Sequence, residues 1–351
     1  MSGGVDSSVA AALLAEQGHD VIGLSMQLYD QTEGQTAFGS CCSLDDLYDA
    51  RKVAAAIRIP HYILNFERQF NEQVVSNFVR EYTAGRTPLP CAHCNSDLKF
   101  ATLVDRAAGF GADAVATGHY ARVECDAAGR YLLKRAVDPA KDQSYFLFSL
   151  TQDQLAHAVF PVGDRPKESV RAYARPRRLP VADKADSQEI CFIPDHDYAR
   201  FVASHAPDVA HDGPIVDEAG RLLGRHDGIH HFTIGQRKGL GLGASRTHGG
   251  APMYVLHLRP ADGTVVVGPK TSLERTTLTA SQVNWIVTPP TGPIRAAAQI
   301  RHRHQAAPAT INALGPARAE VVFDAPQLAV TPGQAVVFYD GDVVLGGGWI
   351  D

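Results

Sequence analysis

Three short stretches of this 351-residue chain carry residue types that can do chemistry. The first, Ser2-Gly3-Gly4-Val5-Asp6-Ser7-Ser8, stands directly before an alanine- and leucine-rich run. Two glycines let a backbone approach an anion, and hydroxyls with the amides of a helix start can hold it. The lysine and the spacing of the G-x-x-x-x-G-K-[ST] nucleotide loop are both missing. The second stretch holds Cys91 and Cys94 as C-x-x-C within Thr87–Asn95, and the third holds Cys191 within Ser187–Phe192. Deprotonated thiols are strong nucleophiles near neutral pH. A single C-x-x-C lacks the second pair that a structural zinc would need. Of the other cysteines, Cys41 and Cys42 precede a helix start, where the dipole could lower a thiol pKa, although a structural role is the plainer reading. Cys125 sits in an expected hairpin and also reads as structural.

Several elements are needed to position these groups. The pattern predicts a helix from Ser7 to Gln17 stopped by Gly18, then an apolar strand from Val21 to Met26. Ser43, with Asp46 three residues on, opens a helix that runs to about Ile57 and leads to a strand from His61 to Leu64. Helices follow at about 67–84, ended by Gly85, and at about 97–108, with a strand at Ala114–Ala116 and a hairpin between Arg122 and Arg135. Strands separated by helices predict an α/β domain, a parallel sheet with helices on both faces, over residues 1–192. A glycine-rich segment makes a small middle domain, 193–269. Short β-branched runs punctuated by Pro332-Gly333 and Asp340-Gly341 predict a C-terminal antiparallel β-barrel, 270–351. The loop should follow a buried strand, yet only Met1 precedes Ser2; a start assigned too far downstream is the expected reason.

Composition sets bounds on function. Hydrophobic residues are 45% and charged residues 20%, a globular balance, and no apolar run approaches the roughly 18 residues of a membrane span. No basic segment stands ahead of an apolar core at the N-terminus, so a cytoplasmic monomer with reduced thiols is expected. The net charge of −5 does not favour RNA, but Arg175, Arg177 and Arg178, Arg237 with Lys238, and Arg301 with Arg303 are local basic clusters.

The loop at Ser2 resembles the S-G-G-x-D-S loop of the ATP pyrophosphatase (PP-loop) superfamily, and the whole chain resembles the tRNA-specific 2-thiouridylase family, MnmA. Besides the two cysteine stretches, the matching pieces are Ala116–Tyr120, Lys141–Phe146, Phe232–Gly239 and Thr331–Gln334, in the family's order over nearly the whole length. The resemblance implies ATP with Mg²⁺ at Ser2, Gly3, Gly4, Val5, Asp6, Ser7 and Ser8, with Asp6 beside the ion, and with Met26 and Gly118 on the adenine side. It implies Cys191 as persulfide carrier and Cys94 as its partner nucleophile, ending as a Cys94–Cys191 disulfide. Adenylation would turn the uracil oxygen into a leaving group, and sulfur from an upstream persulfide donor would replace it. Contacts to the target base are implied at Leu89, Pro90 and Cys91, where the family commonly has Asn-Pro-Asp or Asn-Pro-Cys. Contacts to tRNA are implied at His119, Lys141, Asp142, Gln143, Arg301, His302 and Gln334, the family usually having tyrosine at the place of His302. A third thiol at Cys91 adds a less favoured alternative, an iron–sulfur cluster on Cys91, Cys94 and Cys191. Other PP-loop ligases and a non-catalytic tRNA-binding protein are the rival readings; the paired cysteines stand against the ligases.

Overall fold

The first helix, Val5–Glu16, is buried along most of its length because its side chains are small: Val5, Ser8, Val9, Ala10, Ala11, Ala12 and Leu13 all lie inside. A helix apolar on nearly every side belongs in a core rather than on a surface. Around it pack Val53, Tyr120, Ala136, Val162, Val170, Ala174, Leu179 and Val181. The computed structural model describes residues 1–29, 44–186, 190–193, 195, 197–206, 212–242 and 251–351. Cys41, Cys42, the Ser43 cap and Ser187-Gln188-Glu189 lie outside the described residues. The chain divides into two units: Met1–Val75 with Pro90–His196 and Asp342–Val344, and Ser76–Leu89 with Asp197–Gly341 and Leu345–Asp351.

In the first unit, β1 (Gly23–Gln27) pairs in parallel with β2 (His61–Asn65), in register from Gly23↔His61 to Gln27↔Asn65. A second parallel pair joins β3 (Val115–Ala116) to β6 (Ala158–Val159), and β4 (Ala121–Cys125) with β5 (Tyr131–Arg135) forms the expected hairpin. Asp126 sets its turn by accepting from the amides of Ala128 and Arg130. The expected parallel sheet is thus present as two separate pairs among the described residues. Met1 lies along β1, its amino group donating to the Leu24 carbonyl and its own carbonyl accepting from Ser25 Oγ at 2.6 Å. Helical residues from Glu67 to Thr83 are α at 67–70, π at Asn71–Val75 and α again at Ser76–Thr83. From Pro90 to Gly109 the same alternation recurs, with the π-helical stretch at Cys94–Phe100.

In the second unit, the glycine-rich stretch, where no periodicity marks an element, folds into a four-stranded sheet. Its order is β8 (Leu222–His226), β7 (Gly213–Asp217), β10 (Thr264–Gly268), β9 (Tyr254–Arg259), with β7 and β10 parallel. Ile215, Phe232, Val255, Val265 and Val267 make its core. The C-terminal segment forms the expected antiparallel barrel. Its strands are β11 (Glu274–Trp285), β12 (Ile294–Gln299), β13 (Ala307–Gly315), β14 (Arg318–Leu328), β15 (Ala335–Asp340) and β16 (Val343–Ile350). They run in the order β11-β14-β13-β12-β15-β16 and close through β11–β16. Two strands are longer than the short runs suggested, at 12 residues for β11 and 11 for β14. Register shifts at Arg275/Thr277 and Ser281/Asn284 bend β11 so that it can serve both neighbours. Closure also needs Gly346: at φ +157°, a Cβ there would lie 2.4 Å from the Asn284 carbonyl oxygen.

Candidate active site

The loop at Ser2–Ser8 takes its shape from two glycines. Gly3 has φ +68°, and a Cβ on it would lie 2.3 Å from the Asp46 carbonyl oxygen, so no other residue fits. Gly4 stands at the N-cap of the first helix and brings no side chain to its amides, which leaves that end open to an anion. The loop hydroxyls turn inward: Ser8 Oγ donates to the Gly4 carbonyl at 2.8 Å, and Ser7 Oγ accepts from Ser2 N at 3.1 Å. Gly118 closes over this turn. A Cβ on it would stand 2.5 Å from Ser7 N and 2.6 Å from the Asp6 carbonyl carbon.

Asp6 is held by protein groups. Tyr120 Oη donates to its Oδ1 at 2.8 Å, and Lys167 Nζ donates to both carboxylate oxygens at 2.8 Å. Burial first, and then the Asp6 charge, push the Tyr120 phenol far above its ordinary range. Lys167 also reaches Asp186 at 2.8 Å, and Asp186 takes further contacts from Lys141 at 2.7 Å and Arg171 at 2.9 Å. Burial by itself would raise the pKa of Asp186; hydrogen bonds from Lys141 and Lys167, and their charges, hold it at about 2 instead. The family resemblance implies Mg²⁺ beside Asp6; the protein groups that meet this carboxylate are an ammonium and a phenol. Nothing in local sequence marks Lys167, which lies 161 positions from Asp6.

The cysteine stretch opens a helical run. Cys91 is exposed, Cys94 buried and Cys191 half-buried. Asn95, next to Cys94, donates to the Phe146 carbonyl at 3.2 Å and accepts from Lys99 at 3.1 Å. That ties the cysteine helix to the Lys141–Phe146 stretch. On the other side, Phe192 meets Phe70 edge-on at 5.5 Å, and the helix Glu67–Phe70 packs against Cys94–Phe100. Neighbours of both cysteines therefore share the surroundings of Phe70. Among the described residues, no three His, Cys, Asp or Glu side chains converge on a point where a metal could sit. Cys91, Cys94 and Cys191 thus do not fit an iron–sulfur cluster as arranged.

Several residues expected to touch RNA are engaged inside the protein. Asp142 accepts from Arg135 at 2.8 Å, Ser144 Oγ at 2.9 Å and the Ala136 amide at 3.0 Å, shaping its own turn. Gln143 Oε1 accepts from the Tyr120 amide at 2.9 Å, and Lys141 is committed to Asp186. In the second unit, Gln334 Nε2 donates to the Thr87 and Pro88 carbonyls at 3.1 and 3.2 Å, next to buried Leu89. Arg301 and His302 form an exposed turn after β12, with both carbonyls accepting from Gln299 Nε2. Of the adenine-side pair, Met26 is buried on β1.

His119 lies against Phe160 at 6.1 Å and Phe100 at 6.4 Å, with its Nδ1 2.8 Å from Thr117 Oγ1. Although part of its edge is accessible, enclosure first and then the Lys99 charge lower its pKa to about 3. Its folded pKa lies below the unfolded value near 6.5, so between the two the unfolded chain binds a proton that the native chain refuses. Stability is full above about pH 6.5 and falls as pH drops toward 3. His119→Gln should flatten this decline in urea unfolding between pH 6.5 and 4; equal slopes for both proteins would remove the assignment.

Fold and loop together define the class, an α/β domain in which a glycine-rich loop opens the first helix in the same unit as Cys94 and Cys191. The model described as "tRNA methyl transferase HUP domain" matches residues 1–195. "tRNA methyl transferase PRC-barrel domain" matches residues 199–269, and "Aminomethyltransferase beta-barrel domain" residues 275–350. The tRNA-specific 2-thiouridylase MnmA of Geotalea uraniireducens (strain Rf4) is 54% identical over 356 residues, covering 100% of this chain and 93% of that protein. The MnmA of Solibacter usitatus (strain Ellin6076) is 53% identical over 368 residues, covering 100% and 98%. The chain belongs to the tRNA-specific 2-thiouridylase family. Among solved structures it is distantly similar to the NMN synthetase of Francisella tularensis, at TM-score 0.32 and 15% identity over 59% of this chain and 83% of that one. No helix among the described residues is long and apolar enough to cross a membrane.

Proposed function

We propose that this enzyme is a tRNA-uridine 2-sulfurtransferase that uses ATP, as its Mg²⁺ complex, to exchange the C2 oxygen of a wobble uridine for sulfur. One observation carries the reading. The anion loop and both thiols belong to one unit, in which the Cys191 segment and the Cys94 helix pack around Phe70. In the first step the uridine oxygen bonds to the α-phosphorus and pyrophosphate leaves. The oxygen then departs with AMP when sulfur bonds to C2.

The exposure of the thiols suits a division of labour. Cys191 is the more accessible of the two and can take a persulfide sulfur from an external cytoplasmic donor. Cys94, which is buried, then attacks Cys191 Sγ. In one order, Cys94 displaces hydrosulfide from the persulfide and the hydrosulfide attacks C2. In the other, the persulfide's terminal sulfur attacks C2 directly, and Cys94 then frees the thiouridine by taking Cys191 Sγ. Both orders end in a Cys94–Cys191 disulfide, which a two-electron thiol reductant reopens. Asn95, held by Phe146 and Lys99, keeps the start of the Cys94 helix from rotating. Exposed Arg301 and His302 on the barrel supply contacts for tRNA phosphates.

The test is incubation of the full chain with unmodified tRNA, ATP, Mg²⁺ and a low-molecular-weight persulfide as sulfur source. Thiouridine, with pyrophosphate released only when tRNA is present, is the expected result. A chain that binds tRNA without releasing pyrophosphate would replace this reading with a non-catalytic tRNA-binding protein.

A further inference from the structure

The phosphate loop has no lysine of its own, but the fold delivers one. We propose that Lys167, from the helix Lys167–Ala174, is the cation that receives the β- and γ-phosphates of the bound nucleotide. The assignment rests on the ATP-using reading above.

Lys167 Nζ lies 2.8 Å from both Asp6 oxygens, and Asp6 is in the first turn of the helix whose amides face the same anion. The ammonium therefore sits within one helical turn of the expected phosphate position. Only 10% of the Lys167 side chain is exposed, so its charge has little water around it and acts strongly on a nearby phosphate. The surroundings also let it move. Asp186 is shared by Lys141, Lys167 and Arg171, so it stays doubly paired when Lys167 turns away. Asp6 keeps the Tyr120 hydroxyl. The main chain of Lys167 is anchored separately, its amide donating to Asp138 Oδ2 at 2.9 Å, so only the flexible stem has to swing. A purely structural role explains less, because buried ion pairs contribute little net stability against apolar replacements. Three cations on one carboxylate would be an expensive way to obtain it.

The measurement is calorimetric titration of the full chain with ATP, AMP and pyrophosphate in the presence of Mg²⁺. Lys167→Met should weaken ATP and pyrophosphate by about tenfold to a hundredfold and change AMP by less than about threefold. Lys167→Arg should fall between Met and wild type for ATP. Steady-state pyrophosphate release should show the loss mainly in KM for ATP. Should the Met variant not fold, Lys167→Gln carries the same comparison. Equal weakening of ATP and AMP would mark a merely structural lysine and overturn the proposal, as would no change for either. A wild type that binds neither nucleotide would overturn the ATP reading itself, and this assignment with it.

Discussion

Cys191→Ala and Cys94→Ala should each abolish 2-thiouridine formation, to below about a thousandth of wild type, while tRNA-dependent pyrophosphate release continues within a few-fold. The separation is the informative part. In the proposed reaction adenylation draws on the loop at Ser2–Ser8 and the thiols act only in the later sulfur transfer. The family resemblance gives sulfur transfer to Cys94 and Cys191, and Cys125 lies apart from both motifs on the hairpin strand β4. The two variants should also differ from each other. Loaded with persulfide, Cys94→Ala should retain a sulfane sulfur on Cys191 that cyanide can remove, whereas Cys191→Ala should retain none. Quantitative nucleoside mass spectrometry with a cyanolysis assay reads both. Persistent thiolation in either variant would overturn the two-thiol scheme, and loss of pyrophosphate release in both would show the cysteines acting before sulfur transfer.

Gly118→Ala should lower kcat/KM for ATP by on the order of 100-fold, the scale expected when a reacting group is displaced by about 1 Å. Its added Cβ would stand 2.5 Å from Ser7 N and 2.6 Å from the Asp6 carbonyl carbon, and these are backbone atoms that cannot rotate aside. The loop has to shift, taking with it the helix amides and the Asp6–Lys167 pair. Overpacking of this kind also costs about 1–3 kcal/mol of stability. Gly129→Ala is the control. That residue has φ +80° but open space around it, so it should lose about 1 kcal/mol from backbone strain and nothing in kcat/KM. Equal kcat/KM for Gly118→Ala and wild type would mean that the loop is not where the nucleotide reacts.

Much of the site is legible without coordinates. Two adjacent glycines followed by Asp-Ser-Ser and an alanine-rich run specify an anion-binding helix start, because only glycine gives the backbone approach and only a helix start offers free amides. The order of Thr87–Asn95, Ser187–Phe192 and Thr331–Gln334 identifies the family. Alternation of β-branched residues with Pro-Gly and Asp-Gly turns predicts the barrel, since local pattern follows the pleat. Other features were not legible, because they depend on which residues the fold brings together. The glycine-rich middle segment hides its sheet because the pairing of β7 with β10 joins Ile215 to Val265, a distant partner whose register no local period announces. Asp142, Gln143 and Gln334 are implied tRNA contacts by resemblance, and only the structure shows their hydrogen bonds with Arg135, Tyr120 and Thr87.

The sequence by itself determined the reaction class, because that depends on which groups exist: an anion loop, two thiols and the motifs that accompany them. Only the tertiary structure decided how those groups are charged and held. It brings Lys167 across 161 positions to Asp6, shares Asp186 among three cations, and seats Gly118 on the loop's backbone. It also buries Cys94 while leaving Cys191 half-accessible. Electrostatic balance and steric closeness are properties of pairs of residues, and the chain's own order does not encode which pairs will meet.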